Sequence, residues 1–303
     1  MTLTPNKPIN PTTTPPAPDV VSSADAYARR FAGPIGAYLL NEQNQTALRF
    51  AKPWRSGTVL DVGGGHAQLA VPMVNQGYNV TILASETSCL DRPNRLLGSR
   101  VNTAVGSLLN PPFPDQSFDV VLAFRMLAHI PDWQTFIRNL CRVARHAVIV
   151  DFPTIRSTNA ATPLLFSLKH KVEHDTRRYL LYRRSLVRFA FLQAGFNVTR
   201  ERGQFLFPLA LHRLLKRPTA SRILESLPRA LGLTNLLGSP IILCATRSQS
   251  LAPQSPLDPA TTLNRAMLSA PQAPPSASTV LSVSTTPVAS SSSAPPSATL
   301  PPH

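Results

Sequence analysis

The chain has 303 residues, 31 of them proline, and a formal charge of +15 at pH 7. It contains no apolar run near the roughly 20 residues that a membrane-spanning helix needs, and Cys89, Cys141 and Cys244 offer neither the C-x-x-C spacing of a zinc site nor the even number of a disulfide framework. These limits predict a cytoplasmic protein, soluble or membrane-peripheral, and the basic excess predicts an anionic partner: nucleic acid, an acidic lipid surface or a negatively charged substrate.

Residues 1–23 carry Pro5, Pro8, Pro11, Pro15, Pro16 and Pro18 among threonines, lack the basic start and apolar core of a signal peptide, and are expected to be a disordered leader. Residues 24–247 suffice for one domain with a full core. Within them, short apolar runs predict strands over 58–62, 79–83, 100–105, 118–124 and 146–152, alternating with helical patterns over 68–75 and 133–143. Strands this continuously apolar are buried on both faces, as in a parallel sheet with crossover helices. A helix over 185–194 follows, ended by Gly195, and then strands over 197–202 and 240–246. Two stretches, 153–184 and 204–239, interrupt the alternation, and long connections in compact domains are usually functional. Between Arg156 and Arg222, fourteen Lys and Arg residues face only Glu173, Asp175 and Glu201. Residues 248–303, dominated by Pro, Ser, Thr and Ala, are expected to be a disordered tail.

The stretch VLDVGGGHA at 59–67 joins the first strand to a helical segment through three glycines. Gly63, Gly64 and Gly65 permit a tight turn and close approach of a ligand to the backbone at a helix start. The spacing G-x-G-x-A is shorter than the dinucleotide fingerprint. With Asp61 just ahead, it suits an amino-acid-bearing ligand, its ammonium near Asp61 and its carboxylate near the helix start. A turn that only lets helix and strand pack closely is the alternative.

Together with NPPFPDQSFDVVLA at 110–123, MLAHIPDW at 126–133, RVARHAVIVDFP at 142–153 and SLVRFAFLQAGFNV at 185–198, this stretch resembles the class I S-adenosylmethionine-dependent methyltransferases, in particular the type 11 group. The resemblance covers about 59–198. It implies a Rossmann-like α/β fold: a seven-stranded, mostly parallel sheet with helices on both faces, an antiparallel last strand and helical lid insertions. It implies S-adenosylmethionine as cofactor, with Asp61, Gly63, Gly64 and Gly65 at its methionine part; Arg125, just beyond the fourth strand, is read as lining the cofactor or substrate cleft or as a solvated arginine. The acid that usually binds the ribose is missing; its position is Ala84, and Ser85 or Glu86 is the expected substitute. The acid that usually meets the adenine is also missing, which leaves Ser107 and the backbone of Leu108.

Methyl transfer is a displacement on a sulfonium carbon, so alignment and exclusion of water carry most of the work. A hydroxyl acceptor would need a base, and His129, after the fourth strand, is the candidate; its other reading is a hydrogen-bonder for the loop. Asp151, ending the fifth strand, is read as a substrate contact or a cap of the next turn. HKVEH at 170–174 matches an inverted zinc-protease pattern but has no third ligand nearby, so no metal is expected. The basic-aromatic runs RRYLLYRR at 177–184 and FLFPLALHRLLKR at 205–217 suit a lid over a lipophilic acceptor resting on an anionic membrane, with Tyr179 and Tyr182 as substrate contacts, or equally a helical cap whose apolar side completes the core. The same arginines and tyrosines suit RNA, a less favoured partner because no RNA-binding module accompanies them. The functional expectation is methyl transfer to O or C of a small lipophilic acceptor. The alternatives are an RNA methyltransferase and an inactive scaffold of the same fold.

Overall fold

The computed structural model describes residues 17–157 and 180–248. Seven strands form one sheet: β1 (Thr58–Val62), β2 (Asn79–Ala84), β3 (Asn102–Val105), β4 (Phe118–Ala123), β5 (Ala144–Phe152), β6 (Phe196–Phe205) and β7 (Ser239–Arg247), in the order β3-β2-β1-β4-β5-β7-β6. The first five are parallel, and β7 runs antiparallel to both β5 and β6. This is the expected Rossmann-like architecture with its antiparallel last strand.

Burial on both faces explains the apolar strands. In β1, Leu60 and Val62 join the core on one side of the sheet, where α6 (Trp133–Val143) and α7 (Arg184–Gln193) contribute Phe136, Leu140, Val187 and Phe191. Val59 points the other way, into a second core with Phe50 of α3 (Gly33–Ala51) and Met73 of α4 (Ala70–Asn75). The strand order reverses between β1 and β4, which opens a crevice at their carboxyl ends, the usual ligand position in such sheets.

Four helices have no counterpart in the sequence reading of the first 57 residues and of 84–99. The end of the stretch expected as a disordered leader is helical: α1 (Pro18–Ser23) begins with Pro18 in its first turn, where proline's missing N–H costs nothing, and buries Asp19. The short α2 (Asp25–Arg29) follows, and α5 (Asp91–Leu97) lies between β2 and β3. α3 buries Leu39, Gln43, Thr46, Ala47 and Phe50 at helical spacing. Two polar residues inside that stripe hide it from a hydrophobicity count, yet both have partners: Gln43 donates to Asp151 and Thr46 to the Glu42 carbonyl.

The second interruption of the alternation folds as a helical cap: α8 (Leu209–Leu215), α9 (Pro218–Ala230) and α10 (Leu233–Leu237). Of the first, Thr154 pairs with Tyr182 in an isolated bridge, while residues 158–179 lie outside the described residues. No described helix is long and apolar enough to cross a membrane.

Candidate functional site

β1 delivers Asp61 to the crevice, and the turn beyond it depends on glycine. Gly63 has φ +73°, and its N–H donates to the Leu83 carbonyl at 2.8 Å. A side chain there would also meet the Met126 sulfur at 2.5 Å. At Gly65 an added Cβ would lie 2.7 Å from the Cys89 carbonyl oxygen and 2.8 Å from the Ser23 Cβ. The left-handed backbone at Gly63 and the Cys89 carbonyl facing Gly65 therefore favour glycine at both positions without any ligand.

β4 delivers Arg125, whose φ of +60° is unusual for a residue with a side chain. Asp151, at the end of β5, holds that conformation by accepting the Arg125 N–H, and its other oxygen accepts from Gln43 Nε2 at 2.8 Å. Burial raises the Asp151 carboxyl to about 6 against these opposing hydrogen bonds. Asp151 thus secures a loop rather than presenting itself to an acceptor. Asp61 is 3 % exposed, and burial pushes its carboxyl up to about 7 although Arg125 pulls it down.

Asp61, Gly63, Gly64, Phe124 and Arg125 line one small cavity with His66. Arg125 Nε and Nη1 are buried without a protein hydrogen bond, and so are both ring nitrogens of His66. Burial, with Arg125 and Arg92 adding repulsion, lowers His66 to about 4, so the ring is neutral at physiological pH. A carboxylate, an arginine and a neutral imidazole with unmet hydrogen-bonding capacity thus converge beside a glycine turn. Such a set fits the ammonium and carboxylate of an amino-acid-bearing group.

The space does not match that chemistry. The cavity measures about 10 Å³, because α1, α2 and the residues after them cover it. Ser23 packs on Gly65, and Tyr27 and Phe31 place their rings 5.4 and 5.5 Å from the Arg125 guanidinium and edge-on to His66. Asp19 anchors this cover at the end of β2: its two oxygens accept from the Ser85 N–H at 2.7 Å and the Ser85 hydroxyl at 2.6 Å. A wider cavity of about 400 Å³ lies beside it, lined in part by Asp25, Arg29, Phe31, His66 and Arg92. Replacing Asp19 by Asn removes a charged acceptor worth roughly 1.5 to 3 kcal/mol. Amide exchange over residues 18–31 is then expected to accelerate about ten- to a hundredfold; unchanged protection would show that Asp19 does not anchor the segment.

The remaining sequence-expected residues scatter more widely. Ser85 spends its amide and hydroxyl on Asp19, while Glu86 is exposed and accepts from Ser88. Ser107 is exposed and accepts from the Asn110 N–H at 3.1 Å, and Leu108 is buried in the core. His129 is half-buried in the short turn Leu127–His129 and lines neither cavity. Tyr182 does not face an acceptor: it is 4 % exposed, its hydroxyl donates to the Leu127 carbonyl at 2.7 Å, and its ring packs on Trp133 and Phe152. Burial raises that hydroxyl's pKa. Tyr179 and the 170–174 motif lie outside the described residues. Among the described residues no three His, Cys, Asp or Glu side chains cluster as metal ligands. His66 and Asp19 were missed: the first stood inside the glycine motif as an unassigned residue, and the second was hidden in the proline-rich leader.

A family model described as a methyltransferase domain matches residues 60–150. Among curated proteins, the chain is 30 % identical over 109 residues to a ubiquinone biosynthesis O-methyltransferase of Rickettsia typhi, a match covering 34 % of this chain and 43 % of that protein. It is 31 % identical over 109 residues to norajmaline N-methyltransferase of Rauvolfia serpentina, covering 32 % and 37 %. It is 34 % identical over 88 residues to a probable chloroplastic tocopherol O-methyltransferase of Oryza sativa subsp. japonica, covering 27 % and 24 %. The matches span less than half the length of each of these relatives. In fold, the chain is similar to magnesium protoporphyrin IX methyltransferase of Synechocystis PCC 6803, solved with S-adenosylhomocysteine. That likeness has a TM-score of 0.53 at 13 % identity and covers 76 % of this chain and 98 % of the other.

Proposed function

We propose that this chain, whose residues 60–150 match a methyltransferase-domain model, transfers a methyl group from S-adenosylmethionine to oxygen or carbon of a small lipophilic acceptor. The observation that carries the reading is the convergence of Asp61 with Arg125 and His66, the latter two holding unmet polar atoms, on the glycine turn at the carboxyl ends of β1 and β4. Asp61 would hold the ammonium and Arg125 the carboxylate of the amino-acid part, while Gly63, Gly64 and Gly65 let it approach the backbone. Bound there, S-adenosylmethionine supplies an electrophilic methyl on its sulfonium. The covering segment, with Tyr27 and Phe31, would withdraw to admit it and then return to exclude water.

Ser85 and Glu86, near the end of β2, and Ser107 with the Leu108 backbone, beyond β3, are the proposed contacts for the ribose and the adenine. For a hydroxyl acceptor, His129 in the turn after β4 is the proposed base. The lipophilic acceptor is supported by relatives whose names specify ubiquinone biosynthesis and tocopherol O-methylation. An acceptor of that kind resides in a bilayer, so the reading includes peripheral contact with a membrane from the cytoplasm.

The test is calorimetric titration of the full chain with S-adenosylhomocysteine. One site per chain is expected, and Arg125→Ala should weaken it at least tenfold, after which quinols and other phenolic lipids are screened with labelled methyl donor. Absence of binding by folded protein would sink the reading. It would favour a second one, an inactive scaffold of the same fold, for which the filled cleft of about 10 Å³ speaks.

A further inference from the structure

α9 is amphipathic in the wrong sense for a helix that serves only the core. Its inward face carries Ser221, Glu225 and Pro228, all buried, at i, i+4 and i+7. Its outward face carries Ile223, Leu227 and, just past its end, Leu231, at i, i+4 and i+8, with exposures of 72 %, 66 % and 64 %. Polar burial is sustained because Glu225 accepts from the Leu206 and Phe207 N–H groups at 3.1 Å each and pairs with His212 Nε2 at 3.2 Å. The apolar side has no such internal account. Leu214 of α8 and Leu236 of α10 are exposed as well, at 75 % and 58 %. An exposed aliphatic row of this kind marks an interaction surface.

The charge around the row identifies what it meets. Arg213, Lys216, Arg217 and Arg222 are all exposed on α8, α9 and the link between them. Glu225 is the only acid between residues 209 and 237, and it is buried and paired. Exposed charge on the cap is therefore wholly positive. A second copy of this chain docking face to face would bring like charges together. RNA would be met by the arginines, but residues 209–237 contain no Phe, Tyr or Trp on which a base could stack. Aliphatic side chains rimmed by bases suit the boundary between lipid headgroups and acyl chains.

We propose that α9, with the adjoining ends of α8 and α10, is a docking face for an anionic membrane surface. Ile223, Leu227 and Leu231 enter the acyl boundary while Arg213, Lys216 and Arg217 meet lipid phosphates. The inference rests on the lipophilic-acceptor reading for its purpose, since it brings the enzyme to the phase that holds such an acceptor; the docking itself is measured apart from catalysis.

The experiment is co-sedimentation of the full chain with vesicles of phosphatidylcholine alone and of phosphatidylcholine with 30 % phosphatidylglycerol (on the order of a physiological anionic fraction). Binding to the anionic vesicles is expected, weakened tenfold or more in an Ile223→Ser/Leu227→Ser/Leu231→Ser variant. An Arg213→Gln/Lys216→Gln/Arg217→Gln variant should lose the preference for anionic lipid. Both variants change exposed positions, and circular dichroism with S-adenosylhomocysteine titration reports whether each is folded. Equal binding by the serine variant, or no vesicle binding by the parent chain, overturns the proposal. Salt-sensitive capture of an RNA pool without vesicle binding puts nucleic acid in its place. Vesicle binding without S-adenosylhomocysteine binding leaves the docking face standing and removes the methyl-transfer reading instead.

Discussion

Asp61→Asn is expected to weaken S-adenosylhomocysteine binding by some thirtyfold to a few thousandfold, because losing one partner of a buried, hydrogen-bonded charge pair costs about 2 to 5 kcal/mol. The fold should tolerate the change. Asp61 is buried with its carboxyl raised to about 7, so its ionised form is disfavoured in the free protein, and a neutral amide of similar shape removes that burden. The pH profile is more diagnostic than the loss. A raised carboxyl is neutral below its pKa, so a ligand ammonium finds an ionised partner above about 7 and must displace a proton below it. Affinity should then fall by about tenfold per pH unit below that point. The decline should steepen below about 6, where Asp151 also takes up a proton and loosens its hold on the Arg125 amide. In Asp61→Asn the segment between 7 and 6 should be flat. His66, lowered to about 4, stays neutral throughout this range. A parent chain whose affinity does not change between pH 8 and pH 6 would remove Asp61 from the ammonium site.

Glu225→Ala should cost about 3 kcal/mol or more of stability, because each buried polar group left unsatisfied costs about 1 to 3 kcal/mol, against a total of about 5 to 15 kcal/mol for a domain. One carboxylate serves several groups here: the Leu206 and Phe207 amides where β6 ends, His212 of α8, and Thr234 of α10 at 3.5 Å. Alanine would take this acceptor from the two amides and from the buried His212. Glu225→Gln keeps an acceptor and should cost less, about 1 to 3 kcal/mol. Burial by itself would raise the Glu225 carboxyl, but His212 and the two amides outweigh it and hold the group below its ordinary value. Its contribution is therefore complete above the ordinary carboxylate range and is lost as pH falls through the lowered value. Urea midpoints at neutral and acid pH measure both effects. An alanine variant within about 0.5 kcal/mol of the parent, the range of an ordinary surface change, would show that the cluster does not hold the cap.

Strands buried on both faces carry their own signature, which is why β1 matches the expected 58–62, and apolar residues at helical spacing do the same for α6 at the expected 133–143. β6 was cut short at 202 and continues to Phe205, since an edge strand with Arg200, Glu201 and Arg202 loses the apolar run that marks its neighbours. The same locality made Asp61 and the glycine turn readable, since a strand, an acid and three glycines are contiguous. What pairs with Ser85 was not readable: Asp19 lies 66 residues away, in a stretch that shares the proline-rich composition of the residues before it. Nor could residue type alone distinguish Tyr182, which pins Leu127, from a tyrosine that faces a ligand.

Local periodicity and contiguous motifs thus determined the sheet, its alternation with helices and the place of the glycine turn, because those properties depend on neighbours in the chain. Only the tertiary structure decided that α1 and α2 cover that turn, that Asp151 serves Arg125, and that α9 shows its leucines to the outside. Each depends on which distant groups meet, and a buried polar atom takes the partner that geometry brings to it, however far away in sequence that partner lies.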